Sequence, residues 1–263
     1  MKNRKVIYGL LTIIAALGLY IYQLYTPNAP KVESTFLMNG VDLLPSSTTD
    51  QIARHSNFTL SYNEAFEQAE WVAYELNATQ ITRTNRKRPY FIYDSKISSK
   101  SANYKNYKNS GYDKGHLCPA GDRKFSKEAY DETFLTSNIT PQRHDFNSGI
   151  WNRLEQKTRY WATKDKSLYV VTGGVLKQGL KTIGHEKVAV PDAFYKILLD
   201  FSEPEIKAIA FLIPHKDSNL PLYTFVVSID EIERLTGIDF FPNLPDDLET
   251  TLERSSSYKA WSF

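Results

Sequence analysis

Cysteine is almost missing from this chain of 263 residues: Cys118 stands alone. One thiol excludes an intramolecular disulfide framework. It also excludes a cysteine-rich zinc site. No internal repeat is visible. His55, His144, His185 and His215 show no ligand spacing and read as structural or surface residues. His144 lies near the segments singled out below and carries no role at this point. A disorder signature is also lacking, since 41% of the chain is hydrophobic and 13% aromatic. That composition supports one sizeable core. One domain behind an N-terminal appendage is the expectation.

The appendage is the one long apolar run. Val6 to Tyr25 is uncharged and mostly apolar. Its length matches the roughly 20 residues that span a bilayer. Lys2, Arg4 and Lys5 precede it, which keeps the N-terminus cytoplasmic. Tyr20, Tyr22 and Tyr25 fall where an aromatic belt would lie. An uncleaved transmembrane anchor is expected, and a cleaved signal peptide is the competing reading. Pro27-Asn28-Ala29 makes a poor cleavage site. A buried core helix is the third reading. Anchor and signal peptide both place the rest of the chain outside the cytoplasm, periplasmic or extracellular, and cleavage would release it. The expected division is residues 1–25 as anchor, 26–57 as a polar tether and 58–263 as the folded domain.

The net charge of +2 hides two opposite regions. Arg83 to Lys124 carries 11 Lys/Arg against 3 Asp/Glu, net +8. Asp230 to Glu253 carries 8 acids against 1 Arg, net −7. A local basic patch suits a polyanion held at one face. It also suits a solvated lysine-rich loop.

Asn63 to Asn77 reads as an amphipathic helix with Asn63 as N-cap. Ser98 to Tyr112 reads as an exposed loop. Asn147 to Ala162 reads as a second helix. Short β-branched and aromatic runs follow at 167–172, 186–190, 194–201, 206–213 and 223–227. They are expected as antiparallel strands of one sheet. Asp230 to Leu235 reads as a short helix ended by Gly237. The fold class is α+β, an antiparallel core sheet flanked by helices.

Two segments carry the chemistry. Asp113-Lys114-Gly115-His116-Leu117-Cys118-Pro119-Ala120-Gly121-Asp122 sets a histidine beside a glycine. An unperturbed imidazole pKa near 6.5 suits general-base work. Asn147, Trp151 and Glu155 are spaced i, i+4, i+8. At about 100° per residue they share one helical face. The Asn147 carboxamide is a neutral oxygen ligand for a hard cation, and Glu155 can accept from its waters. Asn147 as a mere cap, with Glu155 paired to Arg159, remains open. Cys118 and His116 share a strand face, but a flanking proline and no visible third group leave the thiol a packing role.

The first segment resembles the D-R-G-H-x-A-P-A-x-D signature of the DNA/RNA non-specific endonucleases. These are the ββα-metal, or His-Me finger, nucleases of the endonuclease G type. Ser137-Asn138-Ile139-Thr140-Pro141-Gln142 resembles their S-N-[IM]-x-P-Q, and Asn147 to Glu155 their N-x-x-x-W-x-x-L-E. The likeness extends roughly from Tyr62 to Pro245. It implies a ββα-metal site in which His116 is the general base and Asn147 the direct protein ligand to Mg²⁺. Mn²⁺ would also suit such a site. Glu155 would orient the metal's waters and Arg159 would contact phosphate. An upstream arginine precedes an aromatic and an aspartate in the family; Phe91 and Asp94 resemble those, with Arg88 or Arg86 as the arginine.

Lys114 stands where the family has arginine, which keeps the charge but loses the bidentate fork. Cys118 replaces an alanine. The implied activity is hydrolysis of DNA and RNA backbones with little sequence selectivity. A nuclease fold that binds nucleic acid without cutting it is the alternative, resting on Lys114. A phosphodiesterase for another ester is a third reading. The pattern leaves a homodimer open.

Overall fold

A computed structural model describes residues 37–38, 41–202 and 205–263. The expected membrane segment, Val6 to Tyr25, lies outside them. Among the described residues no helix is long and apolar enough to cross a membrane.

The centre is an antiparallel sheet of seven strands. They are β1 (Ile52–Arg54), β2 (Thr59–Asn63), β3 (Gln68–Asn77), β6 (Ser167–Gly174), β7 (Ala193–Asp200), β8 (Lys207–Pro214) and β9 (Val226–Val227). Their spatial order is β9-β8-β7-β6-β3-β2-β1. A separate hairpin joins β4 (Asp113–His116) to β5 (Ile139–Gln142). Four α-helices are named here: α1 (Lys127–Glu132), α2 (Asn152–Lys164), α3 (Ile229–Thr236) and α4 (Asp246–Arg254).

Both faces of the sheet are covered. Val72, Tyr74, Leu168, Val170, Phe194 and Leu198 join a core with Trp151, Leu154 and Trp161 of the α2 region. Trp71, Ala73, Tyr169, Val171, Tyr195 and Ile197 join a second core with Ile229, Ile232 and Leu252 of α3 and α4. Alternate residues on a strand point to opposite faces. The sheet therefore sorts its own side chains between two helical layers.

That double burial overturns the helix expected at Asn63 to Asn77. Thr59–Asn63 and Gln68–Asn77 are strands instead. β3 lies between β2 and β6, so it is apolar on both faces and shows no alternation. A continuous apolar run of this kind cannot be told from a buried helix by periodicity. Asn63 caps no helix; its Oδ1 accepts from Ala65 N at 3.1 Å.

Other boundaries shift as well. The tether expected up to Asn57 is already folded in its C-terminal part: Leu43, Leu44 and Ala53 are buried, and Ile52–Arg54 forms the sheet edge. Val188–Ala189 pairs only with Thr182–Ile183, outside the main sheet. Leu222–Phe225 is a 3₁₀ turn after Pro221 before the two residues of β9. The loop at Ser98 to Tyr112 is not wholly exposed: Ala102 and Tyr107 pack with Ile139, Ile183, Val188 and Val190. The strands at 167–174, 193–200 and 207–214 lie where expected. α3 ends as expected too, at Gly237 with φ +71°. That left-handed conformation favours glycine.

Candidate active site

β4 presents Asp113, Lys114, Gly115 and His116 opposite Gln142, Pro141, Thr140 and Ile139 of β5. Gly115 is set by close approach rather than by flexibility. A Cβ there would come within 2.2 Å of the Gln142 side chain. His116 is half-buried between two rings, 5.7 Å from Phe91 and 5.0 Å edge-on from Phe134. Its Nε2 is buried without a hydrogen-bond partner. Burial, and then the positive charge of Arg88, hold the imidazole down at about 3. His116 is therefore neutral near pH 7, with Nε2 unengaged.

The hairpin grips the head of the helix through one carboxylate. Asp113 Oδ2 accepts from Asn147 Nδ2 at 3.1 Å and hydrogen-bonds His144 Nδ1 at 2.9 Å. The Asn147 side chain is thus no helix cap. With its NH₂ on Asp113, the amide keeps its carbonyl oxygen as an acceptor. His144 gains a partner that the sequence alone did not assign.

Asn147 to Trp151 is a single π-helical turn, not regular helix. Gly149 breaks it at φ −93°, ψ −110°. A Cβ there would meet Asp217 Oδ1 at 2.2 Å, and Ile150 N donates to that oxygen at 3.3 Å. Equal steps of about 100° therefore fail across this turn. Trp151 is fully buried, stacked on Phe146 at 5.4 Å, whereas Asn147 and Glu155 are half-buried.

Glu155 and Arg159 both lie on α2, but they are not hydrogen-bonded to each other. Arg159 Nη1 pairs with buried Asp122 Oδ1 at 2.6 Å. Asp122 Oδ2 accepts from Tyr74 OH at 2.9 Å. Arg159 so fastens the end of the histidine segment to the helix. Among the described residues nothing hydrogen-bonds to the Glu155 carboxylate. Burial raises its carboxyl to about 7, opposed by the charge of Lys196.

Lys196 was not anticipated as part of this region. It is fully buried on β7, its Nζ lacks a hydrogen-bond partner and sits 5.0 Å from the Trp151 ring centroid. Burial lowers its pKa, and the charges of Glu155 and Asp122 oppose that. The signal was a lone charge in the apolar run Phe194-Tyr195-Lys196-Ile197-Leu198-Leu199.

Beside His116 runs an open groove of about 970 Å³. Arg86, Lys87, Arg88, Lys114 and Lys127 line it with Tyr90 and Tyr104. Arg88 stands 5.4 Å from both Phe91 and Phe134, the rings that hold His116. Arg86 is occupied elsewhere, donating Nε to Lys124 O at 2.6 Å. Of the two candidate arginines, Arg88 is the one beside the histidine. Lys114 Nζ lies 5.6 Å from the Phe91 ring. Asp94 is scaffold: it is buried, bonding His55 Nε2 at 2.8 Å and Ser137 Oγ at 2.6 Å. Cys118 is buried and its thiol is pushed up to about 12 by that burial. It is no nucleophile.

A two-stranded hairpin carrying His116 is thus joined through Asp113 to Asn147, ahead of a helix. The sequence pattern described as DNA/RNA non-specific endonuclease matches residues 41–247. The chain belongs to this family and is a nucleic-acid hydrolase.

It is 34% identical to the zebrafish (Danio rerio) protein called nuclease EXOG, mitochondrial, covering 90% of this chain and 74% of that one. It is 33% identical to a nuclease of the cyanobacterium Nostoc, covering 75% and 76%. It is 31% identical to human endonuclease G, mitochondrial, covering 80% and 73%. The chain spans only 57% of the mouse EXOG protein, at 36% identity over 73% of this chain. A chain of the solved EndoG/EndoGI complex superposes with a TM-score of 0.73 at 28% identity, covering 83% of this chain and 95% of that chain.

Proposed function

We propose that the protein is a Mg²⁺-dependent, sugar-non-specific endonuclease that cuts DNA and RNA, with His116 as general base. The observation that carries this reading is the pair of rings Phe91 and Phe134. They hold a neutral His116 and the cationic Arg88 side by side at the edge of a basic groove. A proton acceptor thus sits where a phosphate is drawn in.

His116 takes the proton of an attacking water, whose oxygen forms a bond to phosphorus. The bond from phosphorus to the 3′-oxygen breaks, and that oxygen takes a proton from solvent water, leaving a 5′-phosphate and a 3′-hydroxyl. Arg88 and Lys114 hold the backbone through its charge, which explains weak sequence preference. Exposed Tyr90 and Tyr104 offer stacking faces for unpaired bases.

The donor set fits a hard cation that keeps most of its waters: one amide oxygen from Asn147, oriented by Asp113, and the unbonded carboxylate of Glu155. Mn²⁺ would suit the same oxygens. When bound, the cation supplies Lewis-acid stabilisation of charge at the scissile phosphate and leaving oxygen. Glu155 accepts hydrogen bonds from the waters there. Arg159 positions Asp122 and the histidine segment, and its share in phosphate binding is part of the same proposal.

Export belongs to this proposal too, with the catalytic domain outside the cytoplasm and Val6 to Tyr25 as anchor. Its support is that segment's length and the three cations ahead of it. Cleavage of plasmid and RNA by the purified full chain, with Mg²⁺ and then with EDTA, tests the activity. Binding without cleavage would favour the non-cutting alternative.

A further inference from the structure

Eight acids and one arginine lie between Asp230 and Glu253. Helix dipoles account for several of them. Asp230 and Glu231 fall in the first turn of α3, and Asp246, Asp247 and Glu249 in that of α4, where negative charge is favoured. Glu253 has no such explanation. It lies in the last turn of α4, where the dipole opposes a carboxylate. It is only 9% exposed, and its Oε1 is buried without a hydrogen-bond partner.

The neighbours of Glu253 are further carboxylates. Oxygens of Asp230, Glu233 and Glu253 all lie within 4.8 Å of one another. So do oxygens of Asp239, Glu249 and Glu253. Among the described residues none of these five acids forms an ion pair. Phe240 N donates to Glu233 Oε1 at 2.8 Å. Burial, and then the charges of Glu233, Glu249, Asp239 and Asp230, push the Glu253 carboxyl up to about 8. Glu253 is thus the one carboxylate common to two triads, and no ion pair neutralises either among the described residues.

We propose that this cluster binds a hard divalent cation of the calcium class, with Glu253 as the buried ligand shared by both carboxylate groups. The ligands come from α3, the connection at Asp239 and α4. Calcium accepts six to eight oxygens in irregular geometry, whereas magnesium demands a near-ideal octahedron and keeps its waters. The absence of His and Cys from the cluster disfavours zinc and copper. The site is distinct from the catalytic one. The apolar sides of α3 and α4 pack into the core on the sheet face opposite Trp151 and Leu154. A bound ion would tie α3 to α4 and stabilise that layer.

The test is thermal unfolding of the EDTA-stripped full chain during titration with CaCl2, in parallel with MgCl2. Calcium should raise Tm saturably, and magnesium should do so less at equal concentration. The same calcium response should persist in Asn147→Ala. In Glu253→Gln, which keeps the side-chain shape, apparent calcium affinity should fall by roughly tenfold or more. Without calcium that variant should melt no lower than the parent above about pH 8, where the parent's Glu253 is charged and the glutamine is not. If Glu253→Gln fails to fold, the rim variant Asp239→Asn/Glu249→Gln gives the same readout. Three outcomes overturn the proposal: no saturable calcium response in the parent, an unchanged response in Glu253→Gln, or a response abolished by Asn147→Ala. The first would mean that the cluster holds a proton instead. The last would place the ion at the catalytic hairpin.

Discussion

Replacing His116 by alanine should lower kcat/KM for plasmid cleavage by about 10²–10⁴, the usual cost of losing a general base. At about 1.4 kcal/mol per decade, the barrier rises by about 3–6 kcal/mol. Affinity for nucleic acid should hardly change, because Arg88 and Lys114 still line the groove. Stability should change little as well. Removing the ring between Phe91 and Phe134 costs packing, but it also removes a buried Nε2 that has no partner. An unsatisfied buried polar atom costs about 1–3 kcal/mol, comparable with the packing lost.

The pH dependence of stability gives a second readout on the same variant. Burial and Arg88 hold His116 down at about 3, whereas an unfolded histidine titrates near 6.5. Below about 6.5 the unfolded chain takes up a proton that the folded chain refuses. The folded state therefore loses stability as pH falls from about 6.5 toward about 3. His116→Ala should flatten that part of the Tm-against-pH curve. Undiminished plasmid cutting by the purified variant would refute the catalytic role. An unchanged acid slope would refute the burial argument.

Asn147→Ala should abolish cleavage by removing the metal ligand, and calorimetric titration with Mg²⁺ should lose its binding signal. Parent-like Mg²⁺ binding would put the ion elsewhere. Lys114→Arg should preserve or improve activity, mainly through KM, by restoring a bidentate phosphate grip. Its salt dependence should not move, because the charge count is unchanged; a large fall in kcat/KM would show a site built around lysine. Cys118, buried with its thiol raised to about 12, should resist DTNB at pH 8 until urea unfolds the chain. Rapid labelling of the native protein would contradict that burial.

The family was more legible in the sequence than the scaffold. His116, Asn147 and Glu155 lie in short segments whose residue types and order are unusual together. The strands at 167–174, 193–200 and 207–214 announce themselves by β-branched residues between turn signals. β3 does not, because burial on both faces erases its alternation. The π turn at Asn147 to Trp151 was equally hidden: Gly149 within it packs against Asp217, a residue far along the chain. Gly115 is likewise constrained from a distance in sequence, by the Gln142 side chain across the hairpin. Arg159 offered a plausible partner in Glu155, four residues away, yet it turns to buried Asp122. The acidic stretch was visible as charge, but the convergence of its oxygens on Glu253 needed the packing of α3 and α4.

The most direct test of the central claim is degradation of supercoiled plasmid and of RNA by the purified full chain in MgCl2, with an EDTA control. Both polymers should be degraded, EDTA should stop the reaction, and His116→Ala should stay inactive while still binding. Cutting that survives EDTA, or tight binding with no cutting in Mg²⁺ or Mn²⁺, would contradict the account.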